Sequence, residues 1–261
     1  MNTTRIDRRL KKRLLGMTIP MALLVAWEAI WHVQSLRMES LSRPWDVAQA
    51  FYLGMADKTI LKSTLETLEA AALGFGLAAL CGLFLGIVLG LMPRVDRIVG
   101  PTVDAMRPVP SVALIPLALL LFGFGVSLEA LVVAFASFWP VLLVTTAAVR
   151  AIDPRLLEVA DALEMSSLAR TFKIVIPAAL GLIAVGLQLA LGIALIVAVT
   201  VEIVINPRGL GFAMMSAQQA LRFDQMYAQL LWIGVIGWGI SKLSQRLVQQ
   251  WPGMAAQGAA A

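Results

Sequence analysis

Apolar stretches that contain no charged residue recur along the whole chain. Four of them are close to the roughly 20 apolar residues that a helix needs to cross a bilayer core. A fifth contains three prolines, and a sixth is interrupted only by Glu28. The pattern predicts an all-α membrane protein with six transmembrane helices. In chain order, the predicted spans are 14–36, 70–93, 108–128, 130–149, 174–201 and 225–241.

The first apolar stretch follows a strongly basic N-terminus that holds six Lys and Arg. Trp27, Trp31 and His32 stand where a cleavable signal peptide would have its small-residue cleavage site, so we expect this span to be retained. Six spans with this start place both termini in the cytoplasm. The cytoplasmic segments then hold fifteen Lys and Arg against six outside, which follows the positive-inside rule. We therefore expect a multi-pass protein of the bacterial inner membrane.

The predicted spans also suggest a division of the chain into five parts. These are a basic cytoplasmic N-terminus (1–13), a first transmembrane helix (14–36), a periplasmic connection (37–64), a five-helix core (65–247) that includes a cytoplasmic loop at 150–177, and a cytoplasmic tail (248–261).

Composition excludes several classes of function. The chain is 59% hydrophobic and 14% charged, with a mean hydropathy of +0.83, whereas soluble domains are about 45–50% apolar and about 25% charged. Soluble enzymes and free nucleic-acid binders are therefore excluded, and the net charge of +5 is explained by topology. The single cysteine and single histidine exclude a disulfide framework and Cys- or His-rich metal sites. We expect no metal or cofactor, and we interpret His32 as an interfacial anchor.

Small residues recur every fourth position in two of the predicted spans. Such ladders let helices approach closely in lipid, and we favour packing within the chain over a subunit interface. The ladders are Ala70, Gly74, Ala78, Gly82, Gly86 and Gly90 in the second span, and Gly186, Ala190, Ala194 and Ala198 in the fifth.

Few ionisable residues fall within the spans, and they are the usual pointers to ion chemistry. Glu28, Glu129 and Glu202 all lie near a predicted membrane edge, so we expect interfacial or snorkelled carboxylates. A self-sufficient ion-coupled transporter that uses Glu28 or Glu202 stays open as an alternative. The sequence contains no catalytic constellation and no phosphate-binding loop, which disfavours a membrane enzyme. Any ATP-driven work would need a separate subunit.

The 150–177 loop has the pattern of an amphipathic helix that could dock such a subunit. Apolar residues recur at helical spacing between charged ones over 156–164. The run from Glu158 to Leu163, followed by Ile174 to Pro177, resembles the "EAA" loop of ATP-binding-cassette importer permeases. Pro177 lies 19 positions after Glu158, which matches that family's spacing. In the family, this loop forms a short coupling helix that sits in a groove of the ATPase subunit.

Three residues depart from the family's loop pattern. Val159 and Ile176 are mild changes. Glu164 occupies the glycine position, where a left-handed turn between two short helices would cost a non-glycine residue about 1–2 kcal/mol. Glu164 could instead continue the helix, with the break at Ser166 and Ser167.

Further ordered motifs place the resemblance within the permeases of the nitrate, sulfonate and taurine type. They are Arg107 to Pro110, Leu114 to Leu117, Phe122 to Gly125, Glu202-Ile203, and Gly209 to Gly211. The resemblance implies a MetI-like ABC importer permease fold and the import of a small, usually anionic solute. It also implies two ATPase subunits inside, a solute-binding protein outside and a second permease copy, for which we expect a homodimer.

The resemblance also gives the candidate residues a role. It implies an ATPase-coupling set that consists of Glu158, Val159, Ala160, Asp161, Leu163, Glu164 and Arg170. We expect Glu158, Asp161 and Arg170 to make polar contacts with the ATPase. We expect Ala160 and Leu163 to form the buried face. Pro110, Ser111 and Pro116 are candidates for the solute pathway, because backbone left unpaired by proline is tolerated at membrane depth only inside protein or beside a wet cavity. Kinking without solute contact is the alternative. Gly209 to Gly211 would dock the binding protein or pack over the bundle.

Overall fold

The computed structural model describes residues 18–19, 21–31 and 40–249, and these residues form helices joined by short turns. A 3₁₀ turn, Ser111–Leu114, precedes α5, and a π-helical turn, Thr171–Val175, joins α8 to α9. In chain order the helices are α1 Met21–Trp31, α2 Pro44–Ala56, α3 Thr59–Leu91, α4 Pro93–Met106, α5 Ile115–Phe122, α6 Val126–Arg150, α7 Pro154–Ala162, α8 Ser167–Arg170, α9 Ile176–Val204, α10 Gly209–Gln219 and α11 Phe223–Gln249.

The chain divides into two compact units. The first comprises the described residues up to Leu61 together with Ala213–Leu231. Within it, the Arg43 guanidinium lies 4.1 Å from the centroid of the Trp31 ring and 3.8 Å from the Glu28 carboxylate. The second unit comprises Lys62–Phe212 and the described residues from Trp232 onward. It contains the long apolar helices.

Helix α6 packs against both α3 and α9 in the second unit. A Cβ atom added to Gly74 would lie 2.5 Å from Cβ of Val133, and one added to Gly186 would lie 2.8 Å from Cβ of Val144. Such approaches are possible only because glycine has no side chain. Gly82, Gly86 and Gly90 meet α6 in the same way. Both small-residue ladders therefore mediate packing within the chain.

Among the described residues, three helical stretches are long and apolar enough to cross a membrane: Thr59–Leu91, Val126–Arg150 and Ser167–Gln219, the last of which contains α9 and is interrupted between α9 and α10. A fourth candidate is the pair Pro93–Met106 and Ser111–Phe122, which bends by 87°. Six spans remain a prediction. The first predicted span falls partly outside the described residues, and α11 is 27 residues long but less apolar.

The predicted span 108–128 is not one helix, which corrects that expectation. Its helical part consists of the 3₁₀ turn and the eight-residue α5. Gly123 and Gly125 then adopt φ values of 67° and 135°, a region that favours glycine, and α6 begins at Val126. The charge-free pattern did not show this break, because hydropathy alone does not distinguish one span from two helical segments joined by a turn.

The link between α2 and α3 is a tight turn held by one carboxylate. Asp57 Oδ1 accepts hydrogen bonds from the Thr59 hydroxyl at 2.7 Å and from the Thr59 backbone N–H at 2.9 Å. These bonds hold the pKa of the Asp57 carboxyl below its usual value. They also satisfy a backbone N–H at the start of α3, which would otherwise lack a partner.

Candidate functional site: the 150–177 loop and a buried polar network

Two short helices, each capped by a side chain, form the loop at 150–177. Asp153 accepts a hydrogen bond of 2.9 Å from the Arg155 N–H, and Pro154 occupies the first position of α7. Ser166 accepts a bond of 3.3 Å from the Ala169 N–H at the start of α8. These cap residues are typical of helix N-termini. The sequence-based prediction of a helix in this loop is confirmed.

Glu164 ends α7 in a left-handed conformation, with a φ of 48°. The Met165 N–H donates to the Ala160 carbonyl, and the Glu164 N–H donates to the Asp161 carbonyl, both at 3.0 Å. This pair of bonds is the Schellman motif, in which Glu164 holds the position that glycine usually takes. Glu164 therefore makes the turn and does not continue the helix. The left-handed turn expected of a glycine at this position therefore forms with Glu164, at a cost of about 1–2 kcal/mol for the non-glycine residue.

The structure separates the apolar residues of α7 into a buried and an exposed set. Ala160 is fully buried within the chain itself, and Leu157 packs against a core cluster that contains Val175 and Ala179. Ala160 is therefore covered by the chain itself, and its part in a contact with the ATPase stays a prediction. An exposed apolar row remains along α7 and its C-cap residue: Leu156, Val159 and Leu163, with exposed fractions of 44%, 53% and 67%.

Two of the candidate polar contacts pair with each other. Arg170 Nη1 lies 2.9 Å from Asp161 Oδ1, so the ion pair joins α8 to the end of α7. The Asp161 side chain is two-thirds exposed, and such pairs contribute about 0–1 kcal/mol to stability. Their evident role is to orient the two short helices. Glu158 is exposed on α7.

The pathway candidates lie at the starts of the two helical segments in 111–122. Pro110 precedes the 3₁₀ turn, Ser111 begins it, and Pro116 occupies the first turn of α5. A proline in the first turn removes an N–H that has no partner within the helix anyway. The N–H that Pro116 lacks is therefore one that would have no partner within α5 in any case. Whether the three residues contact solute stays a prediction.

The first turn of α10 is bonded to side chains of α3 and α9. The N–H of Gly209 donates to Glu66 at 3.0 Å, that of Leu210 to Thr67 at 2.9 Å, and that of Gly211 to Glu202 at 2.8 Å. Carboxylates are favourable at a helix N-terminus because the N–H groups there carry partial positive charge. This geometry supports the expectation that Gly209 to Gly211 packs over the bundle.

Gly209 is required at its position for two reasons. Its φ is 85°, and a Cβ atom there would collide with the carboxylate of Glu202. The Gly209-Leu210-Gly211 motif therefore serves to bring the start of α10 against Glu202. Next to it, Arg208 forms an ion pair of 3.2 Å with Glu69.

Asn206 joins two turns that are far apart in sequence. It is fully buried, its Oδ1 accepts a bond of 2.9 Å from the Gly125 N–H, and its Nδ2 donates to Glu129 and, at 3.4 Å, to the Gly125 carbonyl. The Phe122 to Gly125 motif and the segment after Glu202 are thus parts of one structural unit. The sequence analysis did not identify Asn206, Thr67 or Glu66, because no local pattern distinguishes them from ordinary helix-end residues.

Glu129 and Glu202 are both 1% exposed, so their carboxylates are enclosed by protein and do not snorkel to water, and that part of the expectation was wrong. Each has one oxygen without a hydrogen-bond partner among the described residues. Buried carboxylates need such partners, and both are bonded to the turns described above. Glu28 is partly exposed beside Arg43. His32 lies outside the described residues.

Residues 80–250 match the profile of the family described as the inner membrane component of binding-protein-dependent transport systems. The chain belongs to this family. It is 30% identical, over 85% of its own length and 80% of the relative's, to the putative aliphatic sulfonates transport permease SsuC of Bacillus subtilis (strain 168). It is also 30% identical to the taurine transport permease TauC of Escherichia coli (strain K12), over 86% of this chain and 85% of that relative.

The bicarbonate transport permease CmpB of Synechocystis sp. PCC 6803 is another relative, at 30% identity over 82% of this chain and 80% of that protein. Among solved structures, an inward-facing MetNI methionine ABC transporter aligns with a TM-score of 0.64 at 18% identity, over 71% of this chain and 92% of that one. This likeness confirms the MetI-like permease fold.

Family membership determines the class of activity. The chain is a non-catalytic membrane subunit of an ABC importer, and ATP hydrolysis takes place in a separate ATPase subunit. An ATPase and a solute-binding protein are its partners, and its location is the inner membrane. The prediction of an importer permease of the nitrate, sulfonate and taurine type is confirmed.

Proposed function

We propose that this chain is the permease subunit through which a small anionic solute, such as a sulfonate, taurine, nitrate or bicarbonate, enters the cytoplasm. The relatives named for sulfonates, taurine and bicarbonate support this class. These solutes share a compact, oxygen-rich head group that carries negative charge. The solute would be delivered by a binding protein on the outside.

The exposed apolar row on α7 is the observation that carries the proposed coupling to ATP. Leu156, Val159 and Leu163 are 44–67% exposed. They stand among the charged residues Arg155 and Glu158 on a helix too short to cross a membrane. Exposed apolar groups rimmed by charge are typical of a protein interface. We infer that this row contacts the ATPase and that Glu158 lies at its polar edge.

The proposed mechanism follows from how α7 is attached to the bundle. Leu157 anchors α7 to the core cluster that contains Val175 and Ala179 at the start of α9, and the Asp161–Arg170 ion pair fixes α8. Movement of the ATPase surface would therefore move the start of α9 as a rigid lever, and alternating access would follow from rocking of helices. We propose two copies of this chain about a two-fold axis, with one ATPase docked on each.

Co-purification of the ATPase with substituted chains tests the docking proposal. Val159→Asp and Leu163→Asp place a charge in the exposed apolar row without disturbing buried residues. We expect each to lower the amount of ATPase retained by at least about tenfold, a loss of about 1.4 kcal/mol of binding. Ala162→Asp, at an exposed position of α7 outside the row, is the matched control and should retain the ATPase.

Each outcome separates a different part of the proposal. Normal ATPase retention by both variants would show that docking occurs elsewhere on the chain. A wild-type chain that retains no ATPase would contradict the coupled importer as a whole. Unchanged melting of the variants in detergent is required before a loss of ATPase is attributed to the interface.

The alternative of an ion-coupled transporter is not favoured by the geometry of its two carboxylates. Glu202 accepts a hydrogen bond from the Gly211 N–H and is enclosed where α10 begins. Glu28 lies beside the Arg43 guanidinium. Each carboxylate therefore has a structural partner, and neither lines the cavities described below.

A further inference from the structure

Helix α9 has a second face, opposite the one that packs on α6. Together with α11, this face borders two adjoining open cavities in the second unit, of about 570 Å³ and about 260 Å³, and Phe75 of α3 also lines the smaller one. Gln188 and Ser244 line both of them. The larger cavity falls within the range of about 300–1,000 Å³ that small-molecule sites occupy. We refer to the two cavities together as the α9–α11 groove.

Gln188 is a polar residue in the middle of an otherwise apolar stretch of α9. The other polar side chains of this helix are Thr200, which donates to the Ile196 carbonyl, and Glu202, which accepts from Gly211. Among the described residues the half-buried Gln188 amide has no hydrogen-bond partner. An amide without a partner in apolar surroundings costs about 1–3 kcal/mol, so its position in a groove points to contact with water or a polar ligand.

Gln188 lies at the middle of the predicted membrane span 174–201. It lies 12 residues after Ile176, where α9 begins, which is about 18 Å along the helix axis. Half of a bilayer core is about 15 Å thick. Polar groups at this depth face a bundle interior or a wet cavity and mark solute pathways.

The lining of the groove is neutral, with a few hydrogen-bonding groups. Ser241 and Ser244 contribute hydroxyls from α11, and the Ser244 hydroxyl donates to the Ser241 carbonyl at 3.0 Å. Gly192 leaves open space, since a Cβ atom there would meet nothing within 4 Å. Of the residues that the structure describes, no carboxylate lines either cavity to repel an anion, and amide and hydroxyl groups can donate to oxyanion oxygens.

We propose that the α9–α11 groove is a transit site for the transported oxyanion, in which the Gln188 amide donates hydrogen bonds to the solute near the middle of the membrane. This inference rests on the proposed function and adds a site to it. Neutral donors suit a transit site because a fixed positive charge would hold an anion more tightly and slow its release. Gly192 provides the room.

The first test measures whether a small sulfonate enters the groove, and it needs no transport. Gln188→Cys, in a Cys81→Ser background, is treated in membranes with the anionic reagent 2-sulfonatoethyl methanethiosulfonate. The unaltered chain is the control, because its Cys81 is exposed on α3 and lines neither cavity. We expect the introduced cysteine to react at least about tenfold faster, since the thiolate that attacks the reagent and displaces methanesulfinate forms in water and not in lipid.

The outcomes of this test decide what occupies the groove. Reaction of the introduced cysteine no faster than Cys81 would show that lipid fills the groove and would overturn the proposal. Spontaneous disulfide-linked dimers of Gln188→Cys would show that a second copy covers it, with the same consequence. Neither result would affect ATPase docking on α7.

The second test measures uptake in proteoliposomes that contain the chain with its ATPase and binding protein. Gln188→Leu removes the donor, and Gly192→Leu fills the groove while leaving Gln188 in place. With radiolabelled taurine, an alkanesulfonate, nitrate and bicarbonate as probes, we expect both variants to lower the uptake of the accepted probe at least about tenfold. Leu182→Ala, at an exposed α9 residue that lines neither cavity, should transport normally.

The same assay distinguishes the failure of this inference from the failure of the proposed function. Normal uptake by both Gln188→Leu and Gly192→Leu would overturn the transit site and leave the importer intact. If the wild-type complex retains its ATPase but takes up none of the four probes, the solute class is wrong. The thiol reaction then still decides whether the groove admits an anion.

Discussion

Single residues determine how closely the long helices of the second unit approach one another. Gly74 and Gly76 lie two positions apart on α3, yet their surroundings differ. A Cβ atom at Gly74 would meet Val133 at 2.5 Å and the Ala130 carbonyl at 2.8 Å, whereas one at Gly76 would meet nothing within 4 Å. The pair therefore separates the effect of packing from the effect of helix propensity.

We predict opposite effects for the same substitution at these two glycines. Gly74→Ala should destabilise the chain by about 1–3 kcal/mol, because α3 must move away from α6. Gly76→Ala should be neutral or stabilising by up to about 1 kcal/mol, because alanine favours the helix. Thermal melting of the detergent-solubilised chain measures both. Equal effects at the two positions would contradict the close packing of α3 on α6.

The coupling residues illustrate what periodicity alone can resolve at this scale. Ala160 and Leu163 are three positions apart and share the apolar pattern, so the sequence places both on one apolar face. In the structure Ala160 is fully buried and Leu163 is 67% exposed. The difference arises from tertiary contacts on one side of α7, where Leu157 packs against a core cluster, and such contacts are not encoded locally.

At the scale of elements, one side chain connects two interhelical turns. Asn206, just after α9, bonds to the backbone of Gly125 in the turn before α6 and to the side chain of Glu129. All these groups are inside the second unit. Removing one partner therefore leaves polar groups buried without hydrogen bonds, which costs about 1–3 kcal/mol for each group.

We predict that Asn206→Leu markedly lowers the melting temperature of the chain. Glu129→Gln should have a small effect, because the glutamine carbonyl can still accept the bond from Asn206. The double variant Asn206→Leu with Glu129→Leu should lose less stability than the sum of the two single leucine variants, since no buried carboxylate then lacks its partner. Additive losses across this cycle would show that the two side chains do not interact.

Prolines and glycines in the 108–125 segment show the limits of element prediction. The sequence indicated one proline-rich span, whereas the structure has a 3₁₀ turn, α5 and a glycine turn. The glycine motif itself was visible in the sequence. Its function as a turn depends on Asn206, which is 81 residues away from Gly125.

At the scale of the whole molecule, the distribution of positive charge makes a prediction about orientation. The 150–177 loop belongs to the segments that together hold fifteen of the Lys and Arg residues, and we predict that it faces the cytoplasm. Lys62 belongs to the segments with fewer positive charges and should lie outside. The sequence has a single cysteine, so one substitution at Cys81 provides a background without thiols.

Labelling of single cysteines in intact cells measures this orientation. In the Cys81→Ser background, a membrane-impermeant thiol reagent should label Lys62→Cys directly. It should label Arg155→Cys only after the cells are permeabilised. Both positions are exposed in the structure, so a lack of labelling reports the membrane barrier and not burial. Labelling of Arg155→Cys in intact cells would show that the predicted orientation is reversed. The exposed apolar row would then lie outside the cell, where an ATPase in the cytoplasm could not contact it.

The sequence by itself determined the properties that depend on composition and local order. Apolar stretches, the charge asymmetry, the small-residue ladders and the spacing from Glu158 to Pro177 were sufficient for the fold class, the membrane setting and the family. The apolar stretches and the charge asymmetry follow from how residues partition between lipid and water, and the ladders and the motif spacing follow from the repeat of a helix. Both kinds of pattern involve residues that are near one another in the chain.

Only the tertiary structure decided which of these residues meet. It buried Glu129 and Glu202, turned Ala160 inward, gave Glu164 a left-handed backbone and placed Gln188 in the α9–α11 groove. These outcomes depend on partners such as Asn206 and Gly211, or on the faces left uncovered when α6 packs against α3 and α9. Hydropathy cannot supply them, because burial is a property of contacts between distant segments and not of the residue alone.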